Sequence, residues 1–372
     1  MILSLVLCGC GSGNKEPEPT PVPEITATPE PTPTPFPEPE MDECRTKVTM
    51  NGVELDVGSR SGVIYASVKD MCAAIGAQCE HSDGKFTFGW RLGEVTENDN
   101  EGLLCRGGDD LLVPVEKFCA DAAIGTWMDE EFDHLYCTPA AGEWVLPEGY
   151  NVPVMMYHQV GKMAIGLNNT IVSVENMEEQ INYLLDNGYT PIWFEDLWNV
   201  ENIEKPVILT FDDGMNDNYT ELFPLIKKYN VKVTISPIKD NPYQQEHIMT
   251  EDQIREMAES GLVAVESHTI THPYLSQVAK QKQYDEMWDS RVWITRLTGK
   301  QPIVIFYPYG DATMYNVELI DEEHMYRFGV KMLGYQSYNT SDDPALVYRF
   351  FPEVDTDIYT YASWLKSAFP ER

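Results

Sequence analysis

From Tyr150 onwards the chain alternates between short apolar runs of strand length and amphipathic stretches of helix length. That alternation narrows the available folds more than any other feature. The strand candidates are Val152–Tyr157, Val207–Phe211, Lys232–Ser236, Val263–Ser267, Ile303–Tyr307 and Arg327–Val330. Among them, Met177–Asn187, Thr220–Lys228, Thr250–Ser260 and Gln281–Leu297 read as helices, and Thr250-Glu251-Asp252-Gln253 is a capping box. Strand, helix and strand in repetition implies parallel strands wrapped by helices. The alternation alone does not exclude an open doubly wound sheet.

Two motifs follow strand ends, where α/β barrels place their chemistry. Thr210-Phe211-Asp212-Asp213-Gly214 sets two carboxylates after the apolar run Val207-Ile208-Leu209. His268-Thr269-Ile270-Thr271-His272 sets two imidazoles four residues apart, which on a helical turn face the same side. One carboxylate and two His form a ligand set for a catalytic zinc-type ion with an open position for water, and the second carboxylate is left free as a base. The same set could hold non-haem iron. The extra Asp212 argues against iron, as does the oxidising location that the cysteines below suggest.

These residues resemble the polysaccharide deacetylases of carbohydrate esterase family 4. That family carries T-F-D-D-G, then H-[ST]-x-x-H-P, then R-x-P-Y-G. Here they read T-F-D-D-G from Thr210, H-T-I-T-H-P from His268 and F-Y-P-Y-G from Phe306. Val152-Pro153-Val154-Met155-Met156-Tyr157-His158, Asn187-Gly188-Tyr189, Phe194-Glu195-Asp196-Leu197 and Leu346-Val347-Tyr348-Arg349 look like the poly-N-acetylglucosamine deacetylase branch. The resemblance runs from about Tyr150 to Asp355 and implies a distorted (β/α)7 barrel. It further implies that Asp213, His268 and His272 hold one divalent ion, zinc with cobalt or nickel as substitutes. Asp212 is then the general base, the Tyr309 backbone N–H an oxyanion donor and His158 the candidate general acid. Two departures stand out. Phe306 replaces the family Arg that braces the base, and no Leu-x-His follows the third motif, where only His324 remains, in a setting that looks like a helix surface. Glu266 is a candidate outer partner for a ligating His or a solvated charge at a strand end. Tyr307 and Trp288 are candidates for a glycan cleft or for the core.

The first 145 residues read differently. Ile2–Leu7 followed by Cys8-Gly9-Cys10 resembles a bacterial lipoprotein box in residues 1–10, although the basic region of a signal peptide is missing. Residues 11–43 are rich in Pro, Glu and Thr, cannot bury enough apolar surface to fold, and extended would reach on the order of 100 Å. Residues 44–145 read as a small α+β module. Asn51-Gly52 between Val48-Thr49-Met50 and Val53-Glu54-Leu55 signals a hairpin, Ser67 can cap a helix ending at Gly76, and Asp83-Gly84 marks a second turn. Val68–Ala73 is partly repeated by Val115–Ala120, which sets Cys72 and Cys119 at equivalent positions. The module resembles the domain named after the copper amine oxidase N-terminus, a likeness that implies no copper here. Cys44, Cys72, Cys79, Cys105, Cys119 and Cys137 crowd into it without C-x-x-C spacing, which suggests up to three disulfides, Cys72–Cys119 first among them, and a location outside the cytosol. Residues 146–372 form the deacetylase-like part.

The formal net charge of −34 would repel phosphates, so nucleic acid is excluded as a partner. The acidity either keeps a secreted protein soluble or attracts the amines left on a deacetylated glycan. The reading that results is an extracellular, cell-surface, monomeric N-deacetylase of peptidoglycan or poly-N-acetylglucosamine, touching the membrane only through an N-terminal lipid anchor. Its rivals are an O-acetyl esterase and a degenerate glycan-binding lipoprotein.

Overall fold

The computed structural model describes residues 40–82, 85–90, 93–98, 104–106, 110–162, 168–243, 245–332, 334 and 336–369. The lipoprotein-box segment, most of the Pro-rich stretch and the Asp83-Gly84 turn lie outside them. Among the described residues no helix is long and apolar enough to cross a membrane.

Residues 47–138 build their own core. The Lys47–Met50 and Val53–Glu54 strands pair antiparallel through the Asn51-Gly52 turn, where both residues have positive φ (50° and 85°), as a type I′ turn requires. Ser67 caps the Val68–Ile75 helix by accepting from the Asp70 N–H, and left-handed Gly76 ends it. The Val115–Asp121 helix repeats that element, and Phe86, Phe88, Phe118 and Val48 fill the space between them and the sheets. The expected Cys72–Cys119 pair is not formed. Cys44, Cys72, Cys79, Cys119 and Cys137 are free thiols, and the Cys105 side chain lies outside the described residues. Cys72 lies beside Cys79, and Cys119 beside Cys137. Burial pushes the Cys72 thiol far above its usual range, with help from Cys79. A hydrogen bond with Cys137, followed by burial, does the same for Cys119.

The remaining residues close a barrel of seven staves. Val154–Tyr157, Pro206–Asp213, Val233–Pro237 and Val263–Val265 pair in parallel in that order. A bridge from Ser267 to Ile305 passes the ring to Val304–Phe306, which pairs with Phe328–Val330. The seventh stave, residues 347–350, is irregular. It bridges Val330 through Val347 and returns to Met155 through Phe350, completing the ring. The barrel is distorted because this stave has only those two bridges and because the Thr190–Ile192 strand pairs with the start of Pro206–Asp213. All eight residues of Pro206–Asp213 are buried, as expected for a parallel strand covered on both faces. The predicted capping box is present: Gln253 N–H donates to Thr250 Oγ1 and Gln253 Oε1 accepts from Thr250 N–H. The helix expected over Thr220–Lys228 begins instead as a π-turn at Asn218–Leu222 before Phe223–Tyr229. Pro224 has no N–H to offer its preceding turn, so that turn widens.

Module and barrel are fastened together. Arg296, on the Lys280–Thr298 helix, donates to both Asp129 carboxylate oxygens (2.6 and 3.0 Å) and to Glu131 (2.8 Å). Gly299 ends that helix at φ +74°, where a Cβ would lie 2.8 Å from Thr49 Cγ2 and 2.9 Å from Gly52 Cα, so the hairpin can approach only a glycine.

Candidate active site

At the end of Pro206–Asp213 the backbone leaves strand geometry: Asp213 has φ +72° and Gly214 φ +73°. On a regular strand neighbouring side chains point to opposite faces. The left-handed turn lets both carboxylates serve one site. Gly214 is required, because a Cβ there would meet Pro237 Cβ at 2.8 Å.

The His pair reaches the same place by a route other than the expected helical turn. Residues 268–272 form a bend in which Thr269 (φ +67°) and His272 (φ +57°) are left-handed. Glu286, fully buried on the Lys280–Thr298 helix, holds the bend. Its Oε2 accepts from the Ile270 and Thr271 N–H groups, both at 2.8 Å, and its Oε1 accepts from Thr271 Oγ1 at 2.6 Å and pairs with Lys282. Nothing in the motifs points to this residue. The only sequence signal for it is an acid placed on the inward face of a helix. Among the described residues eleven non-glycine residues have positive φ, and of these Asp213, Thr269, His272 and Tyr309 belong to the three motifs, the clustering expected where strain positions functional groups.

Asp213, His268 and His272 converge. His268 Nε2 lies 3.4 Å and His272 Nε2 3.7 Å from Asp213 Oδ1, and the two Nε2 atoms are 3.1 Å apart. Zinc bonds of ~2.0–2.1 Å at tetrahedral angles set ligand atoms about 3.3 Å apart, so this triangle fits one small divalent ion. His268 Nδ1 donates to the Phe306 carbonyl at 2.8 Å, which fixes the tautomer and leaves Nε2 for a metal. Burial and the neighbouring His268 charge push His272 down to about 4, so it is neutral and able to ligate at neutral pH. Burial opposes the charge on His268 as well, but Asp213 and Asp212 outweigh it and raise His268.

Asp212 lies beside this triangle and is differently held. Ser236 Oγ donates to its Oδ1 at 3.0 Å, and Arg349 donates to Oδ1 (2.9 Å) and Oδ2 (2.7 Å). Burial works to raise the Asp212 carboxyl, but Arg349, with His268 and His158, outweighs it and holds the carboxyl well below the usual range. Arg349 is itself pinned by Thr210 Oγ1 and the Lys331 carbonyl, and its guanidinium lies 4.9 Å from the centre of the Phe306 ring. The bracing Arg absent from position 306 is thus supplied by the seventh stave, and Phe306 forms the surface under it.

His158 follows Val154–Tyr157 and is half-buried. Its Nδ1 is buried without a hydrogen-bond partner, its carbonyl accepts from Asn218, and its charge contributes to lowering both Asp212 and Asp213, so it faces the site. The Tyr309 ring is exposed and lies 4.6 Å from that of His272. Other candidates lie elsewhere. Glu266 does not touch the His ligands. Its Oε2 accepts from the Ile303 and Val304 N–H groups, tying two staves together, and burial pushes it up to about 8. Tyr307 is a core residue whose hydroxyl donates to the Ala345 carbonyl, and Trp288 packs on the same cluster. His324 is exposed beyond the Met314–Asp321 helix.

Asp217 adds a pH-sensitive element. Burial, reinforced by Glu221 and opposed by the Val160 N–H, pushes it up to about 7. Its unfolded value is near ~3.9, so the native state binds the proton more tightly, and the stability this gives is complete below about pH 4 and lost as pH rises through about 7. Asp217→Asn is therefore expected to be more stable than wild type at pH 8 by about 1–3 kcal/mol, and equal to it at pH 4. Urea denaturation at both pH values measures this; equal stabilities at pH 8 would show that Asp217 titrates normally.

Residues 199–329 match the family model described as polysaccharide deacetylase. The protein YxkH of Bacillus subtilis (strain 168) is 34% identical over 186 residues, covering 48% of this chain and 63% of that protein. The poly-beta-1,6-N-acetyl-D-glucosamine N-deacetylase of Escherichia coli (strain K12) is 28% identical over 137 residues, 32% of this chain and 20% of that protein. The chain thus spans less than two thirds of these relatives. Among solved structures, Streptococcus pyogenes deacetylase PplD in complex with acetate superposes with a TM-score of 0.54 at 24% identity, over 58% of this chain and 99% of that one. BC0361, a polysaccharide deacetylase from Bacillus cereus, gives 0.54 at 21% identity over 78% of this chain and 99% of that one. These likenesses carry the barrel fold, and residues 199–329 within it match the polysaccharide deacetylase family.

Proposed function

We propose that the chain is a divalent-metal-dependent hydrolase that removes N-acetyl groups from an N-acetylglucosamine polysaccharide of the cell envelope. The observation that carries this is the pairing of the Asp213–His268–His272 triangle with a second carboxylate, Asp212, that is braced by Arg349 and kept out of the ligand set. An ion held by the triangle would supply Lewis-acid polarisation of the acetyl carbonyl and a lowered pKa for water. Asp212 is the proton acceptor for that water. Its Oδ1 takes bonds from Ser236 and Arg349, and Oδ2 one from Arg349, so Oδ2 keeps a lone pair for the incoming proton. Arg349 keeps Asp212 ionised and oriented at the expense of basicity. The Tyr309 N–H is the proposed donor to the developing oxyanion. His158 is the proposed donor of a proton to the sugar nitrogen as the C–N bond breaks, giving acetate and a free amine.

The substrate class rests on the names of relatives, which act on poly-beta-1,6-N-acetyl-D-glucosamine in E. coli and on peptidoglycan in B. cereus. It rests also on the lipoprotein-like start and the Pro-rich tether, which suit an enzyme held at the cell surface. Asp212→Asn keeps the shape and removes the base. It is expected to retain the metal and to lose ~10²-fold or more in turnover. Acetate release from N-acetylglucosamine oligomers, with acetylated xylan in parallel, reads this. Release from xylan alone would replace the amide reading with the esterase one, and wild-type turnover in Asp212→Asn would move the base elsewhere.

A further inference from the structure

Two exposed aromatic rings stand at the rim of the ligand triangle. Tyr309 and Tyr274 stack at 3.8 Å between centroids and 9° between planes, and 47% and 44% of their respective surfaces are open to solvent. Tyr309 continues inward to the edge of His272 at 4.6 Å, so His272, Tyr309 and Tyr274 form a ladder from a proposed metal ligand to the solvent. Aromatic rings this parallel and this close are not the arrangement that their quadrupoles favour. The backbone favours it: Tyr309 sits at φ +60°, and Tyr274 follows left-handed His272 by two residues, just beyond the Glu286-braced bend. A third tyrosine lies nearby. Tyr243 lies close enough to Asp213 and Tyr309 for both to raise its phenol after burial does. Its N–H donates to Asn241 Oδ1, and Asn241 Nδ2 donates to the Asp213 carbonyl. The site is therefore flanked by rigid rings with hydroxyl tips, apolar on the face and polar at the edge. A pyranose presents the matching chemistry, an apolar face of C–H groups within a girdle of hydroxyls.

We propose that Tyr274, held against Tyr309, is a positioning residue that receives the sugar unit next to the one losing its acetyl group, so that the site selects glycan chains over short fragments. This rests on the proposed glycan reading and adds to it the place where the chain lies. Kinetics of acetate release from N-acetylglucosamine dimer and pentamer, on zinc-loaded full-length Tyr274→Ala, test it. KM for the pentamer is expected to rise about tenfold (about 1.4 kcal/mol) with kcat within about twofold and metal content unchanged. The preference for pentamer over dimer is expected to collapse, and Tyr274→Phe is expected to restore it. Unchanged pentamer KM in Tyr274→Ala, or a loss confined to kcat, overturns the proposal. Calorimetric binding of the pentamer separates the two readings. If wild type binds the pentamer through Tyr274 but releases no acetate, the subsite stands and the deacetylase reading falls. If wild type releases acetate with no dependence on Tyr274, the reverse holds.

Discussion

Alanine at His272 is expected to lower the affinity for one divalent ion by more than ~10²-fold, the upper end of what is lost with an outer-shell partner, and to take acetate release down with it. The triangle explains why so much follows from one ring. His272 supplies one of three ligand atoms, and its proton affinity is depressed to about 4, so at neutral pH it meets a metal without first releasing a proton. The variant should remain folded, since the His272 ring is partly exposed and the bend is held by Glu286 and by the His272 N–H donating to Thr269 Oγ1. Metal content by elemental analysis and zinc affinity by calorimetry measure the effect. Full occupancy in His272→Ala would remove His272 from the ligand set.

The second large effect is expected at Arg349, which touches no proposed ligand. Arg349→Met leaves Asp212 buried with Ser236 as its one remaining side-chain donor, and removing one member of a buried pair costs about 3–5 kcal/mol. Without the guanidinium, only His268 and His158 are left to oppose burial, so the proton affinity of Asp212 rises and the base is protonated over more of the working range. Turnover is expected to fall by ~10²-fold or more, with a shift of the acidic limb of the pH profile towards neutral pH and with metal content retained. Chemical denaturation and the pH dependence of kcat check this. A destabilised Arg349→Met protein with an unshifted pH profile would make Arg349 a structural residue only.

The parts of this molecule that could be read from its residues are those set by local pattern. The six strand and four helix candidates of the barrel are present with their ends moved by a few residues, because hydrophobic period and caps such as Thr250 are encoded nearby. The seventh stave was not legible, since residues 347–350 are held by two bridges to distant strands rather than by any pattern of their own. That is also why the role of Arg349 was missed: its partner Asp212 is 137 residues away, and only ring closure brings them together. The His pair was readable as a pair, but its geometry was not. A four-residue spacing suggests a helical turn, whereas Thr269 and His272 take left-handed conformations that the tertiary brace from Glu286 helps to sustain. The Cys72–Cys119 pairing failed for a related reason. Equivalence in the internal repeat says that Cys72 and Cys119 share a helical position, not that they are neighbours, and each thiol lies beside a strand cysteine instead, Cys79 and Cys137 respectively.

The central claim is a single divalent ion in the Asp213–His268–His272 triangle serving hydrolysis of a glycan amide. The most direct test is to strip the protein with a chelator and titrate zinc back while following acetate release from an N-acetylglucosamine pentamer. The account predicts no release without metal, a rise in proportion to zinc and a plateau at one equivalent. Acetate release that survives complete removal of metal, or a protein saturated with one zinc that releases none from N-acetylglucosamine oligomers or peptidoglycan, would contradict it.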